Sequence, residues 1–369
     1  METGKIISIV NYKGGVGKTT GAFNIGIGLS FLADKKVLLI DLDPQCSLST
    51  MCLKAYSRRT SITKYVKDLK FDNTINYVLR SYLNSIGVFG KKTDIDLSKL
   101  IFKNFYKGYN KTLNNIDFIP ATMFDDTDKS YFKGLDDLEI EISTKQTIDI
   151  GGNKELSFDL ENFIKLREYA ETSRISQLSL FAKFFTDFKL TEKYDYIIFD
   201  CPPSNNLITQ NALIVSDYYL MPTIMDFMSS NGIVHFDSLI QNTILSKMKK
   251  TYQKAINKSE DYLKYFKKPN VKLLGVYESL RRTQVDASTY RYQVNNIPGI
   301  KNKLLDTIIY VHKGTSEATG DGYAVWSVNV EKDNYSPHFC FGALIKEILD
   351  KLGDKYDTLN ITNRQREWL

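Results

Sequence analysis

The chemistry-bearing residues lie densest in Lys13-Gly14-Gly15-Val16-Gly17-Lys18-Thr19-Thr20. Glycines at this spacing let successive backbone N–H groups curl around an anion with no Cβ in the way. A cradle formed by Gly14, Gly15, Val16, Gly17, Lys18, Thr19 and Thr20 is a phosphate-binding loop. Lys18 would set a point charge on the β- and γ-phosphates, and the Thr19 hydroxyl would ligate Mg2+. The general pattern G-x-x-x-x-G-K-[ST] is met imperfectly. Tyr12 stands where the first glycine belongs, and a second lysine, Lys13, heads the loop. The competing reading is a plain glycine turn between a strand and a helix. The flanks argue against it: Ile6–Val10 is short and β-branched, as a buried parallel strand is, and the apolar positions of Ala22–Leu29 fit a helical face.

Three carboxylates complete the set. Val37–Ile40 predicts a second buried strand, which runs into Asp41-Leu42-Asp43-Pro44-Gln45. In an open α/β sheet the carboxyl ends of the strands are where ligands sit. A turn opened by Asp43-Pro44 would explain one of these acids but not the placement of both. Further on, Tyr194–Phe199 leads into Asp200-Cys201-Pro202-Pro203-Ser204, the form of a Walker B element, in which Asp200 holds Mg2+ through its water.

Elements must bring these groups together, and the rest of the chain shows their rhythm. Strands are expected at Ile116–Pro120, Tyr218–Pro222, Val271–Tyr277 and Thr307–Val311. Helices are expected at Leu178–Phe188, Leu207–Ser216, Ser229–Met248, Asp286–Asn296 and Cys340–Leu352, with a lysine-rich connection from Lys247 to Lys272. Strands alternating with helices predict an α/β fold with a doubly wound, mostly parallel sheet flanked by helices. We read residues 1–369 as a single domain carrying two insertions, a basic one over 57–115 and an acidic one over 123–170. Between Arg58 and Lys111 twelve Lys and Arg face four Asp, a local net of +8; between Asp125 and Glu161 eleven acids face four lysines, a net of −7. The basic stretch reads as helical with a basic face, either solvated or in contact with nucleic acid or a partner. The acidic one reads as a loop or hairpin turning at Gly151-Gly152-Asn153, and the two are expected to pack on each other.

Composition bounds the function. The chain has 369 residues, 43% of them hydrophobic, and a mild net charge of +6. It has no apolar run long enough to span a bilayer and no secretory segment at Met1–Lys5, so a cytoplasmic, membrane-free protein is expected. Cys46, Cys52, Cys201 and Cys340 lack C-x-x-C spacing and read as free thiols. His235, His312 and His338 are too scattered for a metal site.

These motifs resemble a known family. Lys13-Gly-Gly-Val-Gly-Lys18-Thr-Thr is similar to the deviant Walker A of the ParA/MinD ATPases, in which Lys13 would be the signature lysine. Asp41-Leu-Asp43-Pro-Gln45 resembles their Walker A′ and Ile198-Phe-Asp200-Cys-Pro-Pro-Ser204 their Walker B. Leu207–Asp217 followed by Pro222, and Thr315-Ser316-Glu317-Ala318, resemble later segments of partition ATPases. The resemblance covers roughly residues 1–55, 114–122 and 176–350 and is closest to ParA-type proteins. The end of the chain, Gly353–Leu369, has no sustained apolar face of the kind a MinD-like membrane helix needs. Only twelve residues precede Lys13, so no operator-reading helix-turn-helix is expected ahead of the loop.

The resemblance implies an ATP-dependent mechanism. Two subunits close on two ATP molecules, and Lys13 reaches across to the partner's γ-phosphate, tying homodimerisation to hydrolysis. Lys18 acts in cis, Asp43 positions the attacking water, and Asp41 and Asp200 shape the Mg2+ shell with Thr19. Turnover is slow until an adaptor resembling the centromere-binding ParB stimulates it. The dimer binds DNA without sequence preference and gathers on the nucleoid. Arg281 and Arg282 are the first candidates for that contact and Lys313 the second, unless the basic insertion carries it. The alternative is an ATP-dependent switch that positions a protein cargo and does not use DNA as its matrix. A metabolic kinase or amidoligase with the same loop is a third reading.

Overall fold

Five of the strand sequences are almost continuously apolar and buried along nearly their whole length, as strands covered on both faces must be, while the edge strand Leu304–Tyr310 is mostly half-buried. A computed structural model describes residues 3–84, 94–124, 134–144, 177–226, 232–258 except 234 and 236, 269–281, 286–310, 312–328, 335–365 and 367. The strands are β1 (Lys5–Ile9), β2 (Val37–Asp41), β3 (Ile116–Ile119), β4 (Tyr196–Asp200), β5 (Tyr218–Thr223), β6 (Lys272–Arg281) and β7 (Leu304–Tyr310). They form one sheet in the order β3-β2-β4-β1-β5-β6-β7, with every pairing parallel.

Register sets the site. Asp200 lies opposite Ile9 on one side and Asp41 on the other. The turn after β1 and both strand-terminal aspartates therefore emerge side by side on the carboxyl edge of the sheet, where the strand order reverses about β1.

Among the described residues the α-helices of seven residues or more are α1 (Lys18–Ala33), α2 (Ser47–Thr60), α3 (Ile75–Asn84), α4 (Leu135–Thr144), α5 (Leu180–Phe188), α6 (Leu207–Val215), α7 (Leu245–Lys258), α8 (Ser288–Asn295), α9 (Lys313–Gly320), α10 (Pro337–Leu352) and α11 (Thr358–Arg364). Helix α1 is buried around its whole circumference, wedged between the sheet, α10 and α11. No helix among the described residues is long and apolar enough to cross a membrane.

Several boundaries differ from expectation. β6 runs on to Arg281 instead of ending at Tyr277, and β7 starts at Leu304. α10 starts at Pro337, since proline suits a first helical turn that lacks intrahelical donors. The lysine-rich connection is helical over its first half, as α7. α11 was not foreseen; Ile361 buries it, and Arg364 fastens it to the Phe31 carbonyl and to Asp34.

Residues 57–115 hold more core than a basic excursion would. Residues 57–60 continue α2, and Val78, Leu79, Leu100, Phe105 and Tyr106 are fully buried. Phe102 exchanges two backbone hydrogen bonds with Phe118, and Phe105 N–H donates to Ile116, so this stretch lies along the outer edge of β3. At the opposite edge, the Glu347 carboxylate of α10 accepts from the Asp306 and Thr307 amides of β7.

In the acidic stretch α4 is a helix that packs against α3 and α6. The Glu139 carboxylate accepts from Leu207 and Ile208 N–H, satisfying the first amides of α6. The Gly151-Gly152-Asn153 turn lies outside the described residues.

Candidate active site

After β1 the chain must reverse tightly into α1. Gly15 and Gly17 do this with φ of 71° and 82°, in the left-handed region that penalises a Cβ. Gly17 caps α1 with no side-chain acceptor, which leaves the first amides of the helix without intrahelical partners. The loop is held from inside by Lys18, whose Nζ donates to the Lys13 carbonyl at 3.1 Å. It is held from behind by Ser279 of β6, whose Oγ donates to the Val16 carbonyl at 2.6 Å. Ser279 was not singled out by sequence reading, since a lone serine in a strand carries no signal there.

Burial pushes the Lys18 ammonium below its ordinary pKa, while the nearby Asp200 and Asp43 carboxylates push it back up. Asp200 is fully buried, and among the described residues neither of its oxygens has a hydrogen-bond partner. Burial first, and then the Asp41 charge, lift its pKa well above the carboxylate range; the Thr19 hydroxyl is near enough to lower it but is not in bonding geometry. A buried carboxylate without donors is costly unless a cation answers it. Asp200 beside Thr19 therefore fits a bound Mg2+, with phosphates and water completing the shell. Among the described residues no group of three or more His, Cys, Asp or Glu side chains forms a protein-only cage.

Asp41 is also buried, but its oxygens are occupied. One accepts from Ser49 N–H at 2.8 Å and Ser49 Oγ at 2.6 Å, the other from Asp43 N–H at 3.1 Å. Burial raises its pKa to about 7 against the opposing effect of these bonds. With three donors on it, Asp41 orients the Asp43 turn and anchors the start of α2. Asp43 itself is half-buried; its Oδ1 accepts from Gln45 N–H at 2.9 Å, and its carbonyl accepts from Cys46 N–H at 2.8 Å.

Gly14, Gly15, Gly17, Lys18, Thr19, Thr20 and Asp43 line one cleft of about 680 Å³. The same cleft is also lined by Met51, Tyr310, His312, Thr315, Thr319 and Phe341, a mixture of apolar and hydroxyl-bearing side chains. Of these only Thr315 fell within a motif quoted above. The aromatic walls come from β7 and α10, far from the loop in sequence.

Lys13 lies outside this cleft wall, and its Nζ pairs with Asp226 at 2.8 Å with both side chains partly exposed. Arg281 ends β6, opposite Tyr310, and Lys313 opens α9. Arg282 lies outside the described residues, as do the side chains of Arg281 and Lys313. His312 caps α9 by accepting from Thr315 N–H, and His338 is buried in α10.

A family model described as an AAA domain (AAA_31) matches residues 4–123 and 164–257, more than half of the chain. The sporulation initiation inhibitor protein Soj of Bacillus subtilis (strain 168) is 26% identical over 277 residues, 72% of this chain and 81% of that protein. The chromosome-partitioning ATPase Soj of Treponema pallidum (strain Nichols) is 25% identical over 359 residues, 95% of this chain and 100% of that protein. Among solved structures, the ATP complex of a Cyanothece McdA variant superposes with a TM-score of 0.56 at 16% identity, covering 97% of this chain and 100% of that one. That likeness is one of fold. The phosphate loop, the two strand-terminal aspartates and the family match together establish that the chain belongs to the AAA-domain family AAA_31, as a P-loop ATPase of the ParA/MinD type.

Proposed function

We propose that the protein is a ParA-type DNA-segregation ATPase whose ATP-bound homodimer holds DNA non-specifically and releases it on hydrolysis. The observation that carries this reading is the pair of lysines around one loop. Lys18 is buried inside the phosphate cradle, while Lys13 is at the surface, where it can serve a second subunit. ATP binds through the amides of Gly14–Thr20, and Lys18 meets the β- and γ-phosphates. Thr19 and Asp200 would hold Mg2+, which would supply charge neutralisation to the phosphates. Asp43, held by the Gln45 amide and the Asp41-anchored turn, orients the attacking water. Lys13 of each subunit stabilises charge on the other's γ-phosphate. Arg281, Arg282 and Lys313 contact DNA phosphates in the dimer, and a ParB-like adaptor accelerates an otherwise slow turnover. The working place is the cytoplasm, on the nucleoid when ATP is bound.

The test is DNA retention with ADP against a non-hydrolysable ATP analogue. Retention only with the analogue, falling steeply with salt, supports the reading. Equal affinity in both states sinks it, and an ATP-bound dimer that ignores DNA but captures a protein partner favours the cargo-positioning switch.

Two substitutions probe the roles. Asp43→Ala should leave ATP binding within about twofold and lower the hydrolysis rate by about a hundredfold, since general-base help contributes roughly that much. A normal rate in a single-turnover assay removes Asp43 from the water-positioning role. Asp226→Asn removes the Lys13–Asp226 ion pair within each subunit. Each dimer loses two such pairs, each worth up to about 1 kcal/mol, so ATP-dependent dimerisation should strengthen by up to about twenty-fivefold in sedimentation. Weaker dimerisation would instead mean that Asp226 presents Lys13 to the partner.

A further inference from the structure

The hairpin at Lys107–Thr112 carries a surface that the ATPase cycle leaves unused. Lys107 and Thr112 pair across it, and Gly108 N–H donates to the Lys111 carbonyl at 2.9 Å, so the tip is a tight turn that lifts Tyr109 outward. The Tyr109 ring stacks on Tyr323 with centroids 4.4 Å apart and planes 11° from parallel. The Arg58 guanidinium lies 3.6 Å from the Tyr323 centroid. Two layers cannot share one face of a ring, so the order is Arg58, Tyr323, Tyr109. Arg58 is fixed in turn: it donates to the Asp321 carbonyl at 2.6 Å, to the Gly322 carbonyl, and to the Lys107 carbonyl at 3.4 Å. The stack is anchored at its base and open at its top, where Tyr109 is 67% exposed.

An exposed ring held flat against a second ring has lost its rotational freedom before any ligand arrives, so a planar partner can dock at little further entropic cost. The surroundings select the partner's charge. Lys103, Lys107 and Lys111 are exposed along the same short run. Lys111 pairs with Glu367, while among the described residues Lys103 and Lys107 have no ion-pair partner. A flat aromatic face flanked by free ammonium groups matches a polyanion that offers unpaired bases. In duplex DNA the base faces are hidden in the stack.

We propose that the Tyr109 hairpin binds single-stranded DNA, with a base stacked on Tyr109 and the backbone beside Lys103 and Lys107. This goes beyond the proposed cycle, because it needs neither ATP nor a second subunit.

The experiment is fluorescence anisotropy of a labelled oligo(dT) of about ten nucleotides with the full chain, nucleotide-free. Tyr109→Ala should weaken binding at least about fivefold, while Tyr109→Trp, which keeps a stacking face, should retain it. Lys107→Ala should lower the slope of log affinity against log salt by about 0.7. A blunt duplex should show no Tyr109 dependence. Unchanged oligo(dT) affinity in Tyr109→Ala, no binding by the wild type, or equal losses on duplex and single strand would each overturn the proposal. Mg·ATP-dependent retention on duplex DNA, run in parallel, reports on the partition reading separately; either can fail while the other stands.

Discussion

Lys18→Ala is expected to weaken ATP binding by about a hundredfold or more, the largest single effect in the cleft. Lys18 Nζ is buried, bonded to the Lys13 carbonyl, and electrostatically coupled to Asp200 and Asp43. Its removal takes away a charge-assisted contact to phosphate, worth about 3 kcal/mol at such a site, and tenfold in affinity corresponds to about 1.4 kcal/mol. It also opens the loop that the same amine closes from inside. Titration with a fluorescent ATP analogue reads the loss. An affinity within about threefold of wild type would mean that the backbone amides of the loop suffice. Lys18→Gln, closer in volume, separates the lost charge from lost packing.

The second large effect lies behind the loop, where Gly21 of α1 faces Tyr277 of β6. A Cβ built on Gly21 would stand 2.2 Å from the Tyr277 hydroxyl but 3.5 Å from the ring carbon that carries it. The ring is buried and stiff, so Gly21→Ala should destabilise the nucleotide-free protein by about 2–3 kcal/mol, the usual cost of overpacking a core. The hydroxyl itself is buried with no hydrogen-bond partner among the described residues. Tyr277→Phe should therefore be neutral or stabilising by about 1 kcal/mol. The double variant is the decisive one. With the hydroxyl gone the new methyl has ordinary contact distance, and alanine in a helix is favoured over glycine by up to about 1 kcal/mol. Gly21→Ala made on top of Tyr277→Phe should then stabilise, reversing its sign. Urea unfolding of the four proteins gives the coupling; simple additivity would show that the hydroxyl is not the obstacle.

The phosphate loop, Asp41, Asp43 and Asp200 were legible because each motif is written in a few consecutive residues. The strands that place them are apolar runs short enough to read by eye. Parallel pairing then puts Asp41, Asp200 and the loop together with no further information from sequence. What escaped reading depends on contacts between distant residues. The basic composition of 57–115 describes its exposed lysines and hides Phe105 and Tyr106, which pack beneath them. Ser279 on Val16, Asp226 on Lys13 and Glu139 on α6 join residues more than sixty positions apart, and no local pattern marks either partner. The type and position of Asp41 mark a place beside the Mg2+ site, while its donors from Ser49 and Asp43 are contacts that the motif itself does not spell out. The Tyr310 and Phe341 walls of the cleft were unreadable because β7 and α10 supply them across the fold.

Both margins of the sheet have backbone groups already occupied. Phe102 and Phe105 occupy the backbone of β3 on one side, and Glu347 takes two amides of β7 on the other. Copies of this chain therefore do not find, at these points, the open backbone ladder by which sheets join into continuous ribbons. The rim of loops above the strand ends, where the nucleotide cleft opens, is a surface of another kind, made of turns and helix starts. An assembly built there has its contacts set by what the cleft holds, so it can be taken apart by chemistry on a phosphate without unfolding a strand.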